Sequence, residues 1–430
     1  MELKETINEK RIPNKAFGNN GLSVLTPISE SEISTILKAA QEEKKKVSVM
    51  GRGTKQGYGG GMEEYDYLLS LAKYKGIVEH TVGDMTVTVK PGTTISELQN
   101  YLHEHNQMVA IDPDWPGDST VGGVIAANES GPKRLTYGSA RDLVIGLRIV
   151  YPDGSVIRTG GKVVKNVAGY DMNKLFIGSM GTLGVISEIT LKLRPAPKYE
   201  SLVILSAAED QLEKLRAFAV QLQDSMLEPG SLELLNPTLS YNLLNKHEYT
   251  LLISFEDVES SVQYQENWVE NHKPAGTKTT RLSVQESKDF WAQFTANAPN
   301  CLHELCDSDE VEGILKIGSK NLDVFEIIEE SHSIQEKYDM KVESHGGAGH
   351  GISHILLKGS ETSMKLAIPY IRNIAEQKSG HATIKYLPLT LRTELNVWGS
   401  PPSYFFLFKG IKEKVDPHNT LNYKRFIGGI

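Results

Sequence analysis

Apolar and polar positions along the first 195 residues predict alternating helices and strands. The apolar positions of the first predicted helix share one face: Ile33, Ile36, Leu37 and Ala40. Ser29 and Glu32 precede that face with the spacing of a capping box, and a strand over Val47–Met50 follows the helix. The stretch "TVTVKPGTTISELQNYL" predicts a strand, a Pro-Gly turn and a helix capped by Thr94 and Glu97. The stretch "LVIGLRIVYPDGSVIRTGG" predicts a hairpin with a Pro-Asp-Gly turn.

After "LRPAPKYE" the pattern changes to longer elements in a different order. The predicted elements are a strand at 202–206, a helix at 210–223, strands at 231–235 and 249–255, and a helix at 258–271. This order resembles a split β-α-β unit, and a further helix is expected at 321–338. We therefore expect a first domain over 1–195, a second over 196–400, and a C-terminal segment over 401–430 that returns to the first domain. No internal repeat is visible in the sequence.

Composition and charge exclude several classes of function. The chain of 430 residues carries a net charge of -8, which argues against general binding to nucleic acid or anionic membranes. The start "MELKETINEK" is too charged for a secretory signal, and no apolar run approaches the ~20 residues that span a bilayer. These features predict a cytoplasmic protein that reaches a membrane only through a partner. Two cysteines, Cys301 and Cys306, cannot form a four-thiolate iron–sulfur site within the chain.

Glycines are concentrated in "GRGTKQGYGGG", residues 51–61, which we call the glycine loop. The spacing of a Walker loop is absent. A Rossmann turn is also disfavoured, because its third glycine comes one position late and Gly59, Gly60 and Gly61 would break the helix that should follow. Two interpretations remain, which are a nest of backbone N–H groups that holds a pyrophosphate and a flexible surface turn.

Two more segments of small residues favour the first interpretation. They are "PGDSTVGGVIAANESG" and "KNVAGYDMNKLFIGSMGTLGVISEITLKLRP", and each adjoins a predicted strand or helix start. One such segment can be explained by packing. Three in one domain predict an extended ligand that lies across the whole domain.

In this order, the three segments resemble the FAD-binding domain of flavoproteins of the vanillyl-alcohol-oxidase, or PCMH, type over residues 26–195. Within that type, "NVAGYDMNKLFIGSMGTLGVI" and the late "DPHNTLN" look most like the FAD-binding subunits of bacterial glycolate oxidases. The resemblance implies an α+β protein. Its first domain would be a PCMH-type FAD-binding domain of two α/β subdomains, and its second an α+β domain with an antiparallel, ferredoxin-like sheet.

The resemblance also implies which residues bind FAD. Residues 52–55 would hold the pyrophosphate, the segment from Ser119 would line the flavin, and the segment from Gly181 would flank adenine and ribose. The full set comprises Gly51, Arg52, Gly53, Thr54, Lys55, Gly57, Gly117, Asp118, Ser119, Thr120, Gly122, Gly123, Ala127, Tyr137, Gly138, Gly181, Thr182, Gly184, Val185 and Ile186.

Two departures from the family pattern affect these expectations. Relatives with covalently attached flavin carry histidine or cysteine beside the loop, whereas here the neighbours are Arg52, Thr54 and Lys55, so we expect non-covalent FAD. The terminal motif of the family runs Asn-Pro-Gly, but here Tyr423 and Lys424 follow Asn422.

The stretch "HGGAGHGISH" places His345, His350 and His354 in a glycine-rich segment. Metal-dependent 2-hydroxy-acid dehydrogenases of this type carry His-x-Gly-Asp-Gly-Asn-x-His, and here Ala348 and Ile352 replace the aspartate and the second histidine. We therefore predict no metal. A general base facing the flavin and a structural role remain open for these histidines.

A second group of candidate ligands comprises Cys301, His303 and Cys306. The sequence pattern favours packing over metal binding for these three side chains.

Flavin-dependent oxidation of a 2-hydroxy acid needs a base for the hydroxyl proton and a cation for the carboxylate. His345 or His350 is the candidate base, and Arg392 or Lys385 the candidate cation. The predicted function is oxidation of a glycolate- or D-lactate-class acid by one flavin subunit of a complex. The expected partners are a homologous flavin subunit and an iron–sulfur subunit. The alternative is a non-catalytic, FAD-carrying subunit for electron relay or assembly.

Overall fold

The computed structural model describes residues 15–161, 170–302 and 310–430. Its first part is a small parallel sheet with strand order β1-β3-β2. The elements are β1 (Asn20–Leu25), α1 (Glu30–Glu42), β2 (Val47–Met50) and β3 (Glu64–Ser70). Ser29 caps α1 as predicted by accepting from the Glu32 amide, while the Glu32 carboxylate accepts from Ile28 N–H. The glycine loop connects β2 to β3.

A five-stranded antiparallel sheet of order β4-β5-β9-β7-β8 forms the second part. Its elements are β4 (Ile77–Thr81), β5 (Thr86–Val89), α2 (Ile95–His103), β6 (Gln107–Met108), α3 (Val121–Ala127), α4 (Arg134–Tyr137), α5 (Ala140–Leu143), β7 (Val144–Val150), β8 (Val156–Gly160), α6 (Asn173–Phe176), β9 (Val185–Lys192) and β10 (Arg194–Pro195). Both halves of the predicted capping box at Thr94 and Glu97 are present. The predicted hairpin is confirmed as β7 and β8.

The third part is an eight-stranded antiparallel sheet of order β14-β11-β13-β12-β16-β17-β15-β18. Its elements are β11 (Tyr199–Ala207), α7 (Leu212–Gln223), β12 (Ser231–Leu235), α8 (Pro237–Leu244), β13 (Tyr249–Asp257), α9 (Glu259–His272), β14 (Lys278–Leu282), α10 (Val284–Ala296), β15 (Val311–Gly318), α11 (Asp323–Tyr338), β16 (Lys341–Gly347), β17 (Ile352–Gly359), α12 (Glu361–Gln377) and β18 (His381–Tyr386). The predicted α+β class with an antiparallel, ferredoxin-like sheet is confirmed.

This large sheet contains the β-α-β-β-α-β unit twice, although the sequence shows no repeat. In the first unit the spatial order β14-β11-β13-β12 is fourth, first, third and second strand. The second unit has the corresponding order β16-β17-β15-β18, and the two units join through their second strands, β12 and β16. The joined sheet is therefore a pair of ferredoxin-like halves.

The sequence prediction omitted α8 and did not recognise that the histidine-rich segment is a hairpin. Asn236-Pro237 has the composition of a turn, but the Asn236 side chain caps α8 and Pro237 occupies its first turn. The glycines of "HGGAGHGISH" close the tight connection from β16 to β17. His345 and His354 consequently face each other across the two strands.

The last 42 residues contain α13 (Leu389–Glu394) and α14 (Phe405–Val415) and then pack against the first two sheets. The backbone at Leu421 forms a parallel bridge with Val47 of β2. The Asn422 side chain accepts from Val49 N–H at 2.8 Å and donates to the Met180 carbonyl at 2.7 Å. Asn422 thus connects β2 of the first part to the segment before β9 of the second part, even though the family's following Pro-Gly is absent.

None of the helices in the described part of the chain combines the length and apolar character that a bilayer-spanning segment needs.

Two buried arginines hold the glycine loop by its carbonyl groups. Arg425 donates to Lys55 O at 2.6 Å, Tyr58 O at 3.0 Å and Gln56 Oε1 at 2.8 Å. Arg392 donates to Gly59 O at 2.7 Å and Gly60 O at 3.1 Å, and also to the carbonyl of Phe17. Because both guanidinium groups are buried, the loop conformation depends on residues more than 300 positions away.

We expect Arg425→Met to lower the free energy of unfolding by about 3 kcal/mol, because three buried acceptors lose charged donors. Thermal unfolding of the purified chain measures the effect. Arg216→Met is the matched control, since Arg216 is partly exposed and forms only surface ion pairs. Equal shifts in both variants would contradict a clamping role for Arg425.

Candidate functional site

The glycine loop forms one wall of a cleft of about 470 Å³, counting its open mouth. We call it the loop cleft. Eight of the residues predicted to bind a cofactor line it: Gly51, Arg52, Gly53, Thr54, Lys55, Thr120, Gly123 and Ala127. Met180 and Arg425 complete the lining from distant parts of the chain. Backbone amides, the hydroxyls of two threonines and three cationic side chains therefore line the space, which suits a phosphate ligand.

Side chains are excluded from the glycine positions of the loop for two different reasons. Gly53 has φ +96°, a backbone conformation that disfavours other residues, and lies in the wall of the loop cleft. A Cβ atom at Gly59 or Gly60 would instead lie 2.6 Å from the Arg425 carbonyl or 2.2 Å from the Lys424 carbonyl. The sequence interpretation explained all the glycines of the loop by contact with phosphate. In the structure, the C-terminal segment packs against the second half of the loop and accounts for Gly59 and Gly60.

Three more of the predicted cofactor residues, Gly117, Asp118 and Ser119, contact cationic side chains of the loop cleft. Arg52 donates to Gly117 O at 2.7 Å and forms an ion pair of 3.3 Å with Asp118. The Lys55 ammonium lies 3.0 Å from Ser119 Oγ. These contacts fix the side chains of Arg52 and Lys55 against the segment that begins at Gly117.

Other predicted cofactor residues lie in the packed interior. Gly57 and Gly122 allow close contact with Phe17 and Pro91, and Gly184 does the same at Ile149. The buried side chains of Val185 and Ile186 belong to the hydrophobic cores around β9. Tyr137 donates to Glu256 at 2.8 Å in the large sheet, beside Gly138. These residues shape the domain and its boundary rather than the wall of the loop cleft.

A larger cavity of about 1040 Å³, counting its mouth, adjoins the loop cleft, and the two share Ala127 and Met180. We call it the second cavity. Thr182 and Gly178 line it, together with the aromatic rings of Tyr58 and Trp398. Gly181 packs against Asn422 at its edge. The two spaces together offer a polar phosphate region and an apolar, aromatic region, as a dinucleotide requires.

One face of the large sheet presents polar side chains toward the glycine loop. Strand pairing places His345 opposite His354, His354 opposite Lys316, and Lys316 opposite Thr383. Alternation along β12 and β18 adds two more side chains to the same face. We call the set the polar face; its members are Glu233, His345, His354, Lys316, Thr383 and Lys385.

A chain of buried charges connects this face to the glycine loop. Glu129, directly after α3, forms ion pairs with Lys55 at 2.6 Å and with Lys385 at 3.0 Å. Lys385 also pairs with Asp114 at 2.6 Å. Burial raises the pKa of Glu129, but the two ammonium groups outweigh burial and bring the pKa down to about 2. Glu129 is therefore ionised and links the first domain to β18.

Lys316 has a different environment from Lys385. Within the described residues, its ammonium forms no ion pair at 4 Å or less, and it lines the second cavity. Burial, followed by the neighbouring charge of Lys385, lowers the pKa of Lys316 to about 8. It is a cation whose charge is only partly compensated beside an apolar cavity.

A small cavity of about 320 Å³, counting its mouth, lies between the polar face and α10. We call it the histidine cavity. Its polar side chains are His345, His354, Lys385, Asp114 and Asn297, and its apolar ones include Phe294 and Leu356. The candidate base and a candidate cation thus meet in one enclosed space.

The structure separates the predicted catalytic residues. His345 and His350 both contact Glu233, with Nδ1 to Oε2 at 3.0 Å and Nε2 to Oε1 at 3.1 Å. Arg392, in contrast, is bound to backbone carbonyls of the glycine loop and does not line the histidine cavity. Of the two candidate cations, only Lys385 lies beside His345.

The cysteine group agrees with packing where it is described. Cys301 is buried and accepts from Gly57 N–H at 3.1 Å, and burial raises the pKa of its thiol to about 11. His303 and Cys306 lie outside the described residues. Within 15–161, 170–302 and 310–430, no three His, Cys, Asp or Glu side chains converge to hold a metal ion.

Comparison with known proteins agrees with this geometry. Residues 22–160 match the family model described as an FAD binding domain. The chain is 29% identical to glycolate oxidase subunit GlcD of Bacillus subtilis, over 77% of this chain and 72% of that protein. It is 26% identical to a D-lactate dehydrogenase of Anaerostipes hadrus, over 92% and 87% respectively. The chain is thus similar to glycolate oxidase subunits and D-lactate dehydrogenases along most of its length, and residues 22–160 match an FAD binding domain.

Two further matches refine this assignment. Glycolate oxidase subunit GlcE of Escherichia coli is 39% identical over 131 residues, which are 30% of this flavoprotein and 37% of that subunit. The solved structure of 4-ethylphenol oxidase from Gulosibacter chungangensis superposes with a TM-score of 0.74 at 16% identity, covering 96% of this chain and 91% of that one. The structural match confirms the predicted PCMH-type fold.

The residues present fit FAD. The loop cleft supplies Arg52 and Lys55 for a pyrophosphate, and Gly53 keeps the approach to the backbone open. The second cavity offers aromatic and small side chains beside it. These two connected spaces are therefore where we propose that FAD binds.

Sequence reasoning missed three charged side chains of the site. Glu233 interrupts the apolar strand "SLELL", Lys316 interrupts "GILKIG", and Glu129 follows the small residues of α3. An ionisable residue inside a short apolar strand is rarely buried without a partner, so this pattern is a usable signal.

We expect Gly53→Val to abolish FAD binding, because valine is strained at φ +96° and its side chain would project beside the phosphate site. The ratio of flavin to protein absorbance after purification measures retention. Gly83→Val is the control, since Gly83 has open space around it and no positive φ. Stoichiometric flavin in the Gly53 variant would overturn the assignment of the loop cleft.

Proposed function

We propose that this flavoprotein oxidises a small 2-hydroxy acid of the glycolate or D-lactate class to the 2-oxo acid. The observation that carries the proposal is the histidine cavity, in which His345, held by a buried carboxylate, and the ammonium of Lys385 line one small space. Charged side chains connect that space to the loop cleft through Glu129. The printed names of the B. subtilis and A. hadrus relatives support the substrate class.

The reaction divides among the residues as follows. FAD held by the residues of the loop cleft and the second cavity would supply the hydride acceptor for this oxidation. His345 accepts the hydroxyl proton, and Lys385 pairs with the substrate carboxylate in place of the role predicted for Arg392. Phe294 and Leu356 limit the space, which is too small for a long or aromatic substrate.

A second candidate function is a flavin subunit that relays electrons without oxidising a substrate itself. The observation in its favour is that Asp114 and Glu129 already neutralise Lys385. A substrate carboxylate would have to share that ammonium or take the charge of Lys316. The match to a subunit of the E. coli enzyme is compatible with either function.

We also propose that the chain works within a complex. Two cysteines in the whole sequence cannot ligate an iron–sulfur cluster, so electrons leave through dioxygen, a soluble acceptor or a partner chain. Two relatives are named as subunits, which supports a homologous flavin partner. The proposed electron acceptor is an iron–sulfur subunit.

We expect glycolate or D-lactate to bleach the flavin in anaerobic stopped-flow experiments, and His345→Gln to slow bleaching by at least about 100-fold. His272→Gln, on the exposed surface of α9, should match the unaltered chain. Absence of bleaching by any small 2-hydroxy acid, or full-rate bleaching in the His345 variant, would favour the relay function.

The proposed complex is tested by steady-state turnover of the purified chain. Turnover that rises only when partner chains are added would support the complex, and rapid turnover without them would reject it.

We expect acid precipitation to release FAD into the supernatant. The described side chains that line the loop cleft and the second cavity include no cysteine or histidine, the nucleophiles that attach flavin in relatives. Flavin absorbance in supernatant and pellet measures attachment, with a covalent flavoprotein as the control. A yellow pellet with a flavin-modified peptide, at Tyr58 for example, would refute non-covalent binding.

A further inference from the structure

A single buried carboxylate holds two histidines at the junction of the two ferredoxin-like units. Glu233, on β12, has a side chain only 2% exposed. One of its oxygens contacts His345 and the other His350. Because each oxygen has an imidazole partner, the protonation of the three groups is coupled.

The backbone decides the tautomer of His350. Its Nδ1 accepts a hydrogen bond from Ile352 N–H at 3.2 Å, so that nitrogen carries no proton. The proton of neutral His350 therefore sits on Nε2 and is donated to Glu233 Oε1. A proton on Nδ1 of His350 would point at the Ile352 N–H group, which is itself a donor, so the hydrogen bond between them would be lost. The tight turn over Gly347 thus favours the Nε2–H tautomer of His350, whose ring packs directly on that glycine.

The remaining oxygen of Glu233 then decides the tautomer of His345. Burial raises the pKa of Glu233, but hydrogen bonds from the two histidines outweigh burial and lower the pKa, so the carboxylate is ionised. An ionised carboxylate only accepts hydrogen bonds. His345 consequently donates through Nδ1, and its Nε2 on the opposite edge of the ring carries a lone pair.

Two rings and several charged groups surround His345. The Phe294 ring stands edge-on at 4.8 Å, and the His354 ring lies at 5.0 Å. Burial and then the charge of Lys385 hold the pKa of His354 well below its usual range, so His354 is neutral. The charged groups around the histidine cavity are Lys385 and Asp114, with Glu233 behind His345 and Lys316 beyond His354.

We propose that Glu233 is a positioning residue that fixes His345 as the Nδ1–H tautomer, and that His350 is a second donor to the same carboxylate through Nε2–H. The proposal rests on the proposed function in taking His345 as the base. When His345 accepts the hydroxyl proton at Nε2, Glu233 stabilises the imidazolium without itself being protonated. His350 then does not serve as the base, which decides between the two histidines.

Nitrogen NMR of the purified chain, labelled with ¹⁵N-histidine, tests the tautomers without any turnover. His345→Gln and His350→Gln assign the two signals among the 12 histidines. We expect a protonated Nδ1 at His345 and a protonated Nε2 at His350 in the unaltered chain. A protonated Nε2 at His345 would overturn the proposal, whatever the kinetic result.

Glu233→Gln is the decisive variant, because an amide also donates and no longer demands Nδ1–H. We expect a mixture of tautomers at His345, with recovery of the single form in Glu233→Asp. Glu343→Gln is the matched control, since Glu343 is a largely buried carboxylate on β16 that contacts Lys341 and Asn297. An unchanged His345 signal in Glu233→Gln would overturn the proposal.

A kinetic readout separates this proposal from the proposed function. Glu233→Gln should slow flavin bleaching about 100-fold and shift its pH profile, with little change in the substrate concentration for half-maximal rate. If no 2-hydroxy acid bleaches the flavin, the proposed function fails while the NMR result still decides the tautomers. If the tautomers are as expected but Glu233→Gln bleaches at the full rate, the positioning role fails alone.

Discussion

The arrangement of the site depends on one buried carboxylate, Glu129, that is shared by ammonium groups of the glycine loop and of the large sheet. Burying an isolated carboxylate costs several kcal/mol, so Glu129 is tolerable only while Lys55 and Lys385 are both within reach. Lys55 belongs to the glycine loop and Lys385 to the last strand of the large sheet. The two ion pairs of Glu129 therefore hold the loop cleft and the polar face close together. Any ligand phosphate that attracts Lys55 must also affect this network.

The glycine loop obtains its shape from outside itself. Its own sequence is too flexible to hold one conformation, and glycine loses more backbone entropy on folding than other residues. Arg392 and Arg425 offset that cost by donating to five carbonyl or amide oxygens within residues 55–60. The amides of Gln56, Gly57, Tyr58 and Gly60 also donate to acceptors within the protein, so this half of the loop is held through both its donors and its acceptors.

Sequence patterns predicted the local elements well and the long-range ones poorly. The caps at Ser29 and Thr94, the hairpin of β7 and β8, and the helix α11 follow from contacts between near neighbours. The duplication within the large sheet and the packing of Lys424 on Gly60 depend on residues far apart in the chain. The resemblance predicted a ligand site at the glycine loop, and the loop does line a cleft. It could not show that Arg392 points to carbonyl groups, because side-chain direction across a domain boundary leaves no periodic signal.

The duplicated unit explains why the candidate base lies where it does. In each ferredoxin-like unit the second strand is an edge, and an exposed edge with unpaired amides must be covered. Here the two edges, β12 and β16, pair with each other, which brings Glu233 of the first unit beside His345 of the second. Neither unit contains both groups, so the carboxylate–imidazole pair exists only in the joined sheet. The same joining leaves β15 and β18 to carry Lys316 and Lys385 on the same face. The chemistry of the site is therefore a consequence of how the sheet closes its own edges.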